Sequence, residues 1–177
     1  MKELSLHILD IAKNSVKAKA TKIEISVIED EGQDKLIIKI ADNGSGMSKE
    51  ILESVRDPFT TTRTTRKVGL GIPLFEAAAT QSGGNLKIES ELGVGTSLAA
   101  EFGYSNIDRA PLGDISDTMI ILISGSPDIR FIYNHFKNGK EFTFDTDEIK
   151  AQIGDIPLST PEILDWIGEY IKEGINL

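Results

Sequence analysis

The sequence predicts an α/β protein. The expected architecture is a two-layer sandwich over residues 1–103, with helices on one face of a mixed sheet, then a small α+β lobe over residues 104–177. Three observations carry this. The hydrophobic period switches repeatedly between helical and alternating spacing, in the order α-β-β-α-loop-α-β-β. The chain has 177 residues, 40% of them apolar, which supplies a packed core. Gly-rich turns punctuate the first part and stop near residues 103–112, where GYSNIDRAPLG carries turn formers.

Each element has its own signal. Leu4, Ile8, Ile11, Ala12 and Ser15 share one face of a helix over about residues 3–18. Ile23, Ile25 and Val27 alternate with polar residues in a half-buried strand, and Leu36 to Ala41 is a more buried one. Ser48 caps a short helix through Val55. Residues 58–68 are polar and β-branched without period, hence a loop. A helix runs from Gly71 to Gln81, with Pro73 in its first turn and Gly83-Gly84 after it. Leu86–Glu91 and Thr96–Phe102 make two strands around LGVG. The remainder reads β-β-β-α-α. Met119–Ile123 is an apolar strand, and Arg130–Phe136 and Glu141–Phe144 flank the hairpin signal NGK. Asp145 or Thr146 caps a short helix through Ile153. Ser159 or Thr160 with Pro161 opens a last helix to about Glu173, whose Ile163, Trp166, Ile167 and Tyr170 form either core, the favoured reading, or a partner-facing stripe.

Composition excludes several functions. Nineteen basic against 28 acidic side chains give a net charge of −9, which disfavours nucleic acid and anionic membrane surfaces as partners. There is no cysteine and there are two histidines, so thiol chemistry and a poly-His metal site are not expected. No apolar run reaches the length of a membrane span and no signal peptide opens the sequence. A soluble, cytoplasmic protein is expected.

Four segments bear chemistry. Asp10, Asn14 and Lys17 lie i, i+4, i+7 on the first helix, a carboxylate, an amide and an ammonium in one polar stripe. Such a row can orient water, offer a carbonyl oxygen to hydrated Mg²⁺ and touch phosphate, although solvated helix faces also hold these residues. Asp42-Asn43-Gly44-Ser45-Gly46-Met47 follows a buried strand directly. A carboxylate there can accept from an exocyclic amine, and glycines let a planar ring approach; an ordinary turn is the competing reading. Pro58 to Lys67 holds Arg63, Arg66 and Lys67 with no acid among them and runs into Gly69-Leu70-Gly71 at a helix start. Free N–H groups and nearby cations there suit phosphate. The spacing fits neither a P-loop nor a dinucleotide fingerprint. Gly93-Val94-Gly95-Thr96 sits between two strands, where Thr96 can meet a base or simply turn a hairpin.

Together and in this order, these segments resemble the GHKL ATPase superfamily of gyrase, Hsp-type chaperones, sensor histidine kinases and MutL. The resemblance covers roughly residues 4–103. It matches the N box at Asp10–Lys17, the G1 box at Asp42–Met47, the F box and lid at Phe59–Lys67, the G2 box at Gly69–Ile72 and the G3 box at Gly93–Thr96. It implies the Bergerat sandwich with ATP and Mg²⁺ as ligands. By that likeness Asn14 would coordinate Mg²⁺ and Lys17 would reach phosphate. Asp42 would bind the adenine amine, with Gly44 and Gly46 shaping the pocket. Gly69, Leu70 and Gly71 would cradle phosphates under Arg63, Arg66 and Lys67, and Thr96 would lie by the adenine.

Two departures matter. The family usually has Glu or Asn four residues before the N-box Asn, and this sequence has Asp10, a shorter candidate general base. Only three residues precede the first helix, so a complete autophosphorylating sensor kinase is not expected, and His7 is expected to be structural or solvent-facing rather than a phosphoacceptor. The lid is short, as in anti-sigma-factor kinases. The resemblance implies an ATPase, or a serine or histidine protein kinase, acting on a separate protein partner. A nucleotide-gated interaction module with little turnover is the alternative, and a degenerate fold without nucleotide comes last.

Overall fold

The structure, a computed structural model, describes residues 2–56 and 70–177. Six helices and six strands appear among them. They are α1 (Leu4–Lys17), β1 (Lys22–Asp30), β2 (Lys35–Asp42), α2 (Lys49–Ser54), α3 (Gly71–Gln81), β3 (Asn85–Glu91) and β4 (Gly95–Gly103), then α4 (Ile115–Gly125), β5 (Arg130–Lys137), β6 (Lys140–Asp145), α5 (Thr146–Ile153) and α6 (Pro161–Ile175). All strands join one sheet in the order β3-β4-β2-β1-β5-β6. Neighbours are antiparallel except β1 and β5, so the sheet is mixed; within residues 1–103 every pair is antiparallel, and the parallel pair is supplied by β5.

Alternation decides which face is covered. Register sets Ile25 opposite Ile40 and Tyr133, and Ile38 opposite Ala100. These side chains share one face, and all are buried. Glu24, Lys39, Glu101 and Thr143 point the other way and stay at least partly exposed. The helices pack on the apolar face. α3 lies against β3 and β4, α1 sits between α3 and α4, and α6 covers α4 and β6. A helix layer on one face and water on the other is the two-layer sandwich expected.

α1 is held into this layer along its length. Leu4, Ile8, Ile11, Ala12 and Ser15 are buried, as their spacing predicts. His7 is buried too. Its ring stacks on Phe75 at 5.2 Å, and Phe75 in turn meets Phe102 at 5.7 Å. Burial, with Lys2 nearby, pushes the His7 pKa down, so a neutral imidazole fills a core position. At its other end, α1 is tied to the C-terminal half. Leu4 N–H donates to the Pro111 carbonyl at 2.9 Å, and the Thr118 hydroxyl donates to the Ser5 carbonyl at 3.1 Å.

Two sequence expectations fail here. Met119–Ile123 is not a strand but the interior of α4. Asp114 caps this helix by accepting from Asp117 N–H at 3.0 Å, and Met119, Leu122 and Ile123 face inward. A short apolar run has no period that separates a buried strand from a buried helix, and α4 supplies the crossover from β4 to β5, two strands that run the same way in the sheet. Trp166 and Tyr170 do not enter the core. α6 lies at the sheet's edge, so Ile167, Gly168 and Ile171 fill its inner face while the two aromatics stay outside.

Two predictions follow from the packing. Phe75→Ala removes a fully buried ring between His7 and Phe102. It should cost about 3–5 kcal/mol in denaturant unfolding, with an unchanged slope. Stability should also fall in acid. The imidazole of His135 hydrogen-bonds Glu29, and the guanidinium of Arg130 grips Asp145, holding both carboxyls below their ordinary values. A depressed carboxyl contributes stability above its unfolded pKa, and that contribution is lost as pH falls through the folded value. Urea melts stepped down from pH 6 should show this loss below about pH 4, and Arg130→Ala should flatten it.

Candidate functional site: a cleft between two helices

The polar row of α1 faces the start of α3. Asp10, Lys13, Asn14 and Lys17 from α1 and Leu70, Gly71 and Leu74 from α3 line one cleft of about 260 Å³. Five sequence-predicted residues therefore meet: Asp10, Asn14, Lys17, Leu70 and Gly71. The pairing follows from helix geometry. Ile11 and Ser15 must face the sheet, which turns the adjoining row at positions 10, 14 and 17 toward the neighbouring helix.

Three features make the cleft receptive to an anion and a cation together. Among the described residues the N-terminus of α3 has no side-chain cap, and its first turn holds no acid, so nothing described neutralises its positive end. A Cβ added at Gly71 would sit 3.7 Å from both Asn14 Nδ2 and Asp10 Cβ, so the helix start stands directly over the row. The Asn14 amide nitrogen is buried with no hydrogen-bond partner among the described residues. A buried amide without a partner is costly, and a polar ligand in the cleft would relieve it. The Asp10 carboxylate is engaged: Lys2 Nζ lies 2.5 Å from its Oδ2. Nothing in the spacing of the sequence signals Lys2.

A second cluster forms where β2 ends. Asp42 Oδ1 accepts from Gly44 N–H at 2.8 Å and from Thr96 N–H at 3.3 Å. Oδ2 accepts the Ser15 hydroxyl at 2.6 Å. Donors from α1, the G1 turn and β4 thus converge on one carboxylate. Ser45 N–H also donates to the Ala18 carbonyl at 2.8 Å, which binds the turn to the end of α1. The Thr96 hydroxyl pairs with the Ser90 hydroxyl at 2.8 Å, and Ser90 Oγ accepts from Met47 N–H at 2.8 Å. Sequence reasoning missed Ser15 and Ser90. Ser15 could have been found, because a hydroxyl on an otherwise apolar helix face needs a buried partner. Arg63, Arg66, Lys67 and Gly69 lie outside the described residues.

Glycine is required at two of these turns. Gly46 has φ +70°, and a Cβ there would stand 2.1 Å from the Glu91 carbonyl oxygen. Gly95 has φ +146°, and its Cβ would stand 2.1 Å from the Asp42 carbonyl oxygen. Both let the G1 turn and the β3–β4 hairpin close on each other.

Over residues 2–105, more than half its length, the chain matches the family described as Histidine kinase-, DNA gyrase B-, and HSP90-like ATPase. The chain belongs to that family. The match spans α1 through β4 and so contains both clusters, and it implies ATP binding. Similar curated proteins are sensor and sporulation kinases. Sporulation kinase D of Bacillus subtilis is 33% identical over 51% of this chain and 18% of its own length. Sporulation kinase C of the same organism is 31% identical over 50% of this chain and 20% of its own. Sensor histidine kinase ZraS of Salmonella typhimurium is 32% identical over 50% of this chain and 19% of its own. The matched segment is thus about a fifth of each relative. Among the described residues, no helix of this ATPase-family chain is long and apolar enough to cross a membrane.

Ser15→Ala should lower stability by about 1–3 kcal/mol, because a hydrogen bond to a charged, half-buried acceptor is lost. Chemical denaturation measures it. Gly46→Ala and Gly93→Ala form a sharper pair. Gly93 has φ +81° but nothing within 4 Å of a built Cβ. Its alanine variant should lose only about 1–2 kcal/mol of stability to backbone strain, whereas Gly46→Ala should fail to fold. Equal thermal midpoints for the two would contradict the close approach at Glu91.

Proposed function

We propose that this chain binds Mg-ATP between α1 and α3 and transfers or hydrolyses its terminal phosphoryl group, acting on a separate protein. One observation carries the reading: Asp10, Asn14 and Lys17 line the same cleft as the uncapped start of α3. Family membership supports the nucleotide, and similarity to sensor and sporulation kinases supports a protein partner.

Each side chain has a role in this proposal. The Asn14 carbonyl oxygen would hold Mg²⁺. Among the described residues no group of three His, Cys, Asp or Glu side chains gathers to hold a metal, so one amide would share the ion with phosphate oxygens and water. Bound there, Mg²⁺ supplies charge neutralisation on the phosphates. Lys17 and the free N–H groups of α3 bind phosphate oxygens. Asp10 orients the attacking water or hydroxyl and takes its proton. Asp42 reads the adenine amine. Its Oδ2 accepts only the Ser15 hydroxyl among the described residues, which leaves a lone pair for a further donor. Gly44 and Gly46 keep the turn close to the ends of α1 and β3, and Thr96 N–H holds the other oxygen of the carboxylate. Arg63, Arg66 and Lys67 are proposed to bind phosphate oxygens, and Gly69 to cradle the phosphates with Gly71.

One contact favours the second reading, a nucleotide-gated module with slow turnover. The Lys2 ammonium bonds Asp10 and occupies one of its oxygens, so the proposed base is already engaged before water or a hydroxyl reaches it.

Asp10→Asn and Lys2→Met separate the readings. Under the first, Asp10→Asn lowers phosphate release at least about 100-fold, the ordinary scale of a general base, while ATP affinity persists. Under the second, the parent is already near background, and Lys2→Met raises the rate. Asn14→Ala should abolish the Mg²⁺-dependent part of ATP affinity in calorimetry without lowering the thermal midpoint. Asp42→Asn should erase the preference for adenine over guanine nucleotides. Unchanged values in both titrations would exclude this cleft.

A further inference from the structure

The outer face of α6 carries an aromatic platform that neither the core nor the nucleotide cleft uses. Trp166 and Tyr170 stack with centroids 5.1 Å apart and planes 10° from parallel. They are 48% and 40% exposed. The stack is anchored from below. The Tyr170 ring meets Phe142 at 5.4 Å and Phe144 at 6.3 Å, both on β6. Gly174 makes room for Phe142, since a Cβ there would lie 2.1 Å from its ring. The platform is therefore an extension of the packed core into solvent. Large flat rings held rigid and half wet lose little entropy on being covered, and Trp and Tyr dominate binding hot spots for that reason.

The charges around it are mostly of one sign. Glu162 lies one turn before Trp166, and Asp165, Glu169 and Glu173 form the adjoining row of the same helix. All four are exposed. Among the described residues only Glu169 has a cationic neighbour, Lys172 at 4.0 Å. Like charges one turn apart repel, and each would be relieved by a cation placed between them. Aromatic faces attract cations as well, guanidinium most of all. Stacked rings and a row of exposed carboxylates therefore ask for the same occupant.

We propose that the outer face of α6 docks an arginine-bearing segment of another protein, its guanidinium groups laid over Trp166 and Tyr170 and paired with Asp165 and Glu169. This stands apart from the nucleotide reading and does not need it.

Trp166 is the only tryptophan in the chain, so its emission reports on this face alone. The probe is a 14-residue amphipathic Arg/Leu peptide, with a Glu/Leu peptide of equal length as control. The Arg/Leu peptide should shift Trp166 emission saturably, with an affinity that falls as salt rises. The double variant Asp165→Lys/Glu169→Lys should weaken binding at least tenfold. Glu50→Lys/Glu53→Lys, with the same charge change on α2, should leave it within twofold. Calorimetry of Tyr170→Ala, run well below its lowered thermal midpoint, should show a loss of similar size. No saturable shift, equal responses to both peptides, or equal losses in the two charge-reversal variants would overturn the proposal. So would reversible self-association in sedimentation that Asp165→Lys/Glu169→Lys abolishes, because a second copy would then be the occupant.

Discussion

One carboxylate organises the functional end of this protein. Asp42 stands at the end of β2 and takes donors from residues 27 positions before it, two after it and 54 after it. Each bond ties down a different element. The Ser15 hydroxyl fixes the rotation of α1 about its own axis, and the Thr96 N–H fixes where β4 begins. A helix turned by one residue's worth, about 100°, would withdraw Ser15 and swing Asn14 away from α3. The bond that a half-buried carboxylate needs for its own satisfaction thus also sets the geometry of the cleft.

The same economy appears along α1. Its apolar row supplies the core, its Ser15–Ala18 side meets the G1 turn, and its Asp10–Asn14–Lys17 row lines the cleft. Three surfaces on fourteen residues leave little of the helix without a fixed neighbour. Because the helices cover only one face of the sheet, the space between the polar row of α1 and the start of α3 opens toward solvent rather than into the core. The site's polarity and its access come from one arrangement.

Much of this was legible in order of sequence. The period of Leu4 to Ser15 placed α1, and the alternation in Ile23–Val27 placed β1, because each pattern extends over enough residues to exclude its rival. The polar row followed from the same spacing. What was not legible depended on pairing across long distances. Nothing local reveals that Arg130–Lys137 lies parallel to Lys22–Asp30, or that Lys2 reaches Asp10. The misplaced run Met119–Ile123 is the clearest case. Read alone, five apolar residues suit either element, and only the need for a crossover before β5 makes a helix of them. The exposure of Trp166 escaped for a related reason. A helical stripe shows which residues share a face, but not how much sheet lies beneath it.

Joining β5 to β1 also decides how the C-terminal half relates to the proposed nucleotide cleft. α4 packs beside α1, with the Ser5 carbonyl bonded to Thr118 and Leu4 N–H to Pro111. α1 is therefore shared: its first turn is fastened to the C-terminal half and its last two turns carry the polar row. A ligand shifts a conformational balance only through unequal affinity for two arrangements. Two arrangements of α1 would require breaking the Asp42–Ser15 bond at one end or the Thr118–Ser5 bond at the other, besides repacking His7 on Phe75. Close-packed cores of this kind switch between discrete states rather than bend. The rigid course is thus the cheaper one for α1, and adjustments to a ligand fall to the segments that α1 does not hold.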